Sequence, residues 1–151
     1  MMNTNFLLAT LVVFSFFVPA SAMSDSDIQI LEASVKITLT TGDIGDTIQY
    51  CDVSVDKDND LLVTVLPATG YSNEDTQQNL IKAIGAIGGV YVYAVNEYSD
   101  LGNLYITFGN KYETVGTAHA LRSWAEAVDK NVEGDYGTLG FKILGTLKTN
   151  S

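Results

Sequence analysis

Three aspartates at alternate positions, Asp56, Asp58 and Asp60, stand in the stretch SVDKDNDLLVTV (Ser54–Val65). An EF-hand loop presents its first three calcium ligands at that spacing. The same loop needs a glycine at its sixth position for the sharp bend and a bidentate glutamate at its twelfth. Counted from Asp56, those positions hold Leu61 and Pro67, and both flanks read as strands where an EF-hand has helices. The run is therefore expected to be a tight turn, since Asp and Asn tolerate left-handed backbone and bond nearby amides.

Other residues that could do chemistry are scattered. His119, the only histidine, precedes Ser123 by four positions, the spacing of neighbours on a helix face. A working Ser–His pair also needs an orienting acid and an oxyanion site, and a regular helix has free amides only at its start. Cys51, the only cysteine, falls on the apolar side of a strand pattern between Tyr50 and Asp52. Neither neighbour supplies the positive charge that activates a thiolate. One His and one Cys far apart in sequence are a poor start for a zinc site. Asp43 with Asp46, and Glu97 with Asp100, read first as turn residues. The run GAIGG (Gly85–Gly89) follows a helix pattern, whereas phosphate cradles precede one, so it is expected to stop that helix. No catalytic constellation, metal site or cofactor site emerges.

The elements that must position these residues begin after the N-terminus. Phe6 to Ala22 carries no charge, and its apolar part ends at Pro19. Ala20-Ser21-Ala22 then gives a small-x-small cleavage signature. Residues 1–22 are read as an export signal cut after Ala22, although MMNTN supplies no Lys or Arg. The stretch is also shorter than the about 20 apolar residues of a spanning helix. The remaining chain keeps the whole formal net charge of −10. That argues strongly against nucleic acid as a partner, because such binding neutralises phosphates with Lys and Arg. It likewise argues against anionic membrane surfaces. One cysteine allows no internal disulfide, so the fold must hold without staples.

Residues 23–46 are read as a partly ordered N-terminal segment. Ile28, Leu31, Val35 and Leu39 fit a helix; the β-branched residues favour a strand over 35–40. Residues 47–151 are read as one α+β domain. TIQYCDVSV (47–55) and LLVTVLP (61–67) alternate as two strands of a hairpin. Ser72 or Asn73 caps a helix whose stripe is Leu80, Ile81, Ile84 and Ile87, ending at Gly88-Gly89. VYVYAVNEY (90–98) and LYITF (104–108) alternate as strands. TAHALRSWAEAVDKN (117–131) reads as a second helix, with Thr117, Leu121, Trp124 and Val128 on one face. A short C-terminal helix is favoured over a strand for the segment around 136–147.

The order gives an antiparallel sheet with two helices packed on one face, a ββαββα variant of the ferredoxin-like sandwich. Its other face would then present Tyr50, Asp52, Tyr91, Tyr93, Tyr105 and Thr107, with Val95 beside them. Tyrosine is rigid and half polar and is enriched where partners bind. The function expected on this basis is a non-enzymatic binding module using that face on a protein partner, a glycan or a second copy. The alternative is a small extracellular hydrolase working through paired carboxylates, for which the chain leaves little room to build a cleft.

The segments VSVDKDNDLLVTV, ETVGTAHALRSWAEA and LGFKILGTL resemble parts of small exported, uncharacterised proteins of archaea, methanogens especially. That resemblance spans most of residues 47–147. It implies a secreted or cell-surface location, and its motifs are hairpin, helix and core patterns to which no activity attaches.

Overall fold

The computed structural model describes residues 22–150. The expected export signal therefore lies outside the described residues, apart from Ala22. Immediately after the expected cut, Met23 is buried in the core.

Ser24 caps the first helix, α1 (Asp25–Thr40), by accepting the Asp27 amide at 3.1 Å. The strand expected over 35–40 is thus the end of a helix. Leu31, Val35 and Leu39 are its buried residues, spaced by four, and this stripe outweighs the local preference of Thr and Ile for strands. A single turn, α2 (Gly42–Gly45), leads into β1 (Ile48–Val55), which pairs antiparallel with β2 (Leu61–Pro67). The hairpin was expected. Its turn engages the carboxylates of two of the three aspartates: Asp56 Oδ1 accepts the amides of Asp58 at 2.8 Å and Asp60 at 3.0 Å, and Asn59 sits at φ 64°. Asp60 Oδ1 in turn accepts the Asn103 amide at 2.6 Å, tying the turn to the start of the next strand.

The helix α3 (Asn73–Glu97) runs straight through the glycines that were expected to end it. The expected strand over 90–97 is its second half. Ile84, Ile87, Gly88, Tyr91, Val92 and Val95 are buried, a helical period of three and four in which VYVYAV alternates only by coincidence. Gly88 is there for packing. A Cβ on it would lie 3.3 Å from Ile143 Cδ1, on the helix that crosses α3.

Two strands follow, β3 (Leu104–Gly109) and β4 (Thr114–Ala120), then the five-residue α4 (Arg122–Glu126), α5 (Asp135–Gly145) and a two-residue β5 (Lys148–Thr149). Of the helix expected over 117–131, residues 117–120 belong to β4 and only Arg122–Glu126 is helical, as α4. The alanines of β4 are compatible with a helix, but pairing with β3 buries Gly116, Ala118 and Ala120 on one side. The C-terminal helix is present as α5.

The fold is α+β with a mixed sheet in the order β1-β2-β3-β4-β5. It departs from the expected antiparallel ferredoxin-like arrangement, because β2 and β3 run parallel. A parallel pair requires a long crossover, and α3 supplies it. Leu31, Val35 and Leu39 of α1, Ile84 and Tyr91 of α3, and Leu139 and Ile143 of α5 join one core with Val53, Val63, Val65, Ile106 and Phe108 of the sheet. At the β1 edge Glu32 Oε1 accepts the Val55 amide at 2.8 Å, and Lys36 pairs with Asp52 at 3.7 Å. No described helix is long and apolar enough to cross a membrane.

Candidate functional site

Every strand turns alternate side chains away from the helices, and the registers bring these into rows. Asp52 lies opposite Thr64, Thr64 opposite Thr107, Thr107 opposite Thr117, and Thr117 opposite Lys148. One row therefore crosses all five strands with a hydrogen-bonding side chain on each. At about 4.8 Å between strands it spans about 19 Å. The hydroxyls of Thr64, Thr107 and Thr117 make no hydrogen bond within the described chain. The next row is Ser54, Leu62, Tyr105 and His119. It continues past the sheet, for the His119 ring lies 6.4 Å from Tyr105 and 6.1 Å from Trp124, the latter near-parallel at 26°. Lys142 stands 5.9 Å from the Trp124 ring. A line of hydroxyls thus runs beside a line of rings.

The formal charges of the hydroxyl row sit at its two ends. Asp52 is paired with Lys36, which reaches round the β1 edge from α1, and Lys148 ends the row on β5. For a chain of net charge −10 the middle of the face is polar and uncharged. His119 is fixed by its backbone, whose N–H donates to Thr146 Oγ1 at 2.9 Å and whose carbonyl accepts from the same hydroxyl at 3.1 Å.

The six tyrosine-face residues divide. Tyr105 and Thr107 lie in the middle of the face, and Tyr50 and Asp52 lie on β1 at its margin. Tyr91 does not belong to it. It is fully buried on α3, and its hydroxyl donates to the Gly102 carbonyl at 2.6 Å; burial pushes the phenol well above its usual range. Tyr93 is exposed, but on α3 in a groove against α1 that Ile30 and Thr38 also line. Thr64, Thr117, His119 and Trp124 were missed as face residues. The signal for the threonines was present in LLVTV, YITF and VGTAHA, where Thr alternates with Val, Ile or Ala. Reading 117–131 as a helix hid Thr117 and His119.

The residues weighed for catalysis are dispersed. His119 is on β4 and Ser123 on α4, so they are not one helical turn apart. Cys51 points into the core, where burial raises its thiol pKa, Lys36 opposing and Asp52 reinforcing. Arg122 donates to Glu126 at 2.6 Å and to the carbonyls of Leu101 and Tyr98, and so fastens α4 to the loop before β3. Among the described residues no three His, Cys, Asp or Glu side chains converge. Comparison with protein-family models, curated proteins and solved structures found no match to this chain.

Proposed function

We propose that the protein is an exported, non-enzymatic binding module whose uncovered sheet face takes an extended, uncharged, hydroxyl-rich chain, that is, a neutral glycan. The observation that carries this reading is the hydroxyl row from Asp52 to Lys148 lying beside the Tyr105–His119–Trp124 ring line. A polymer laid across the strands meets a new hydrogen-bonding side chain at every strand, and sugar faces stack on the rings. Flat aromatic surfaces bring large contact area at low entropic cost. A charged partner would find its counter-charges only at the margins. Export rests on the apolar stretch before Ala22 and on the resemblance to exported archaeal proteins. The hydrolase alternative requires carboxylates that meet in a cleft beside His119, and the row through His119 holds Ser54, Leu62 and Tyr105 and no carboxylate.

The test is sedimentation of the purified protein with insoluble neutral polysaccharides such as cellulose and chitin. Binding should be salt-insensitive and should weaken at least about five-fold in Tyr105→Ala and in Thr107→Val, a loss of roughly 1 kcal/mol each. Unchanged binding by both variants, or no retention on any neutral polysaccharide, overturns the reading.

A further inference from the structure

At one end of the molecule, the first turns of α3 stand off from the ends of β2, β3 and β4 and leave an open cavity of about 580 Å³. That volume lies in the range of small-molecule sites, roughly 300–1,000 Å³. Its walls are Leu66, Leu80, Phe108, Val115 and Leu147. The amides of Asn73 and Gln77 are on its rim, and neither side chain makes a hydrogen bond within the described chain. None of the lining residues is charged. The nearest charges along the chain are Glu74 and Asp75, in the first turn of α3, and Lys148, which lies between the lining Leu147 and Thr149 but stands opposite Thr117 rather than the lining Gly116 in the sheet register; the two carboxylates repel an anionic head group.

We infer that this cavity is a binding site for a neutral amphiphile, an apolar chain bearing an uncharged hydrogen-bonding head such as an ester, amide or hydroxyl. The apolar walls take the chain and the rim amides take the head. An ionised head would be stripped of water with no opposite charge to receive it, which is costly. This site lies at the strand ends, beside the face that carries the proposed glycan binding, but none of Tyr105, Thr107, His119 and Trp124 lines it, so the two fail independently.

The purified protein is titrated with the uncharged dye N-phenyl-1-naphthylamine, then with 1-monolaurin or laurate as competitor. Saturable fluorescence enhancement is expected, with monolaurin displacing the dye at least ten-fold better than laurate. Val115 is 48% exposed, so Val115→Lys places an ammonium at the cavity without burying it; it should weaken dye binding at least ten-fold at an unchanged melting temperature. Should that variant misfold, Gln77→Trp on the exposed surface of α3 blocks the mouth and should do the same. Tyr105→Ala, on the sheet face, should leave dye binding unchanged. Absence of saturable binding, equal displacement by laurate, or full dye binding in a folded Val115→Lys or Gln77→Trp variant overturns the assignment.

Discussion

The ionisation of Tyr91 is tied to folding. Its hydroxyl is buried and donates to Gly102 O, and burial raises its pKa. In the unfolded chain a tyrosine ionises near pH 10. The stabilisation is therefore complete below about pH 10 and is lost as pH rises beyond it, because the unfolded state then releases a proton that the folded state retains. Urea midpoints at about pH 8 and about pH 11 should fall further for the wild type than for Tyr91→Phe. At neutral pH the same substitution should cost about 1 kcal/mol, the net worth of one hydrogen bond. Cys51 follows similar logic. Its thiol is buried and held protonated, so alkylation by iodoacetamide should be slow in the native protein and fast in denaturant. Strand patterning foretold that Cys51 faces the core; it could not reveal that one of the eight tyrosines is wholly internal.

At the scale of elements, α3 holds the main lesson. Its three central glycines suggest an end, but a C-terminal stop needs left-handed backbone, and none of Gly85, Gly88 and Gly89 has a positive φ. Nothing lies within 4 Å of a Cβ built on Gly85 or Gly89. Gly85→Ala and Gly89→Ala should each stabilise the protein by about 0.5–1 kcal/mol, the usual difference within a helix. Gly88→Ala should gain less than either, because its Cβ presses on Ile143. Thermal melts of the three variants decide this. The edge of β1 offers a second test. Glu32→Ala leaves the Val55 amide without its acceptor and should cost about 1–2 kcal/mol, while Glu32→Gln, which retains a carbonyl oxygen there, should cost less. The Val55–Glu32 bond joins residues far apart in sequence, so no local pattern could announce it.

At the scale of the whole molecule, two surfaces follow from a sheet that, among the described residues, helices cover on one side. The helix layer leaves the opposite face to Tyr105, Thr107 and their neighbours, and the divergence of α3 from the strand ends opens the apolar cavity. If the N-terminal stretch is an export signal, the mass of protein recovered outside the cell should begin at Met23; a mass that includes residues 1–22 would refute cleavage. The sequence by itself determined the β1–β2 hairpin, the turn at Asp56–Asp60, the outward placing of Tyr105 and Thr107 on β3, and the net negative charge. These depend on period-two patterning and turn chemistry, which act over a few residues. Tertiary structure decided that 90–97 is helix and 114–120 strand, that β2 and β3 run parallel, and that threonines from three strands align with Asp52 and Lys148. Short apolar runs such as VYVYAV and TAHA satisfy both periods, and the choice falls to whichever partner buries them: α5 against Gly88 in one case, β3 in the other.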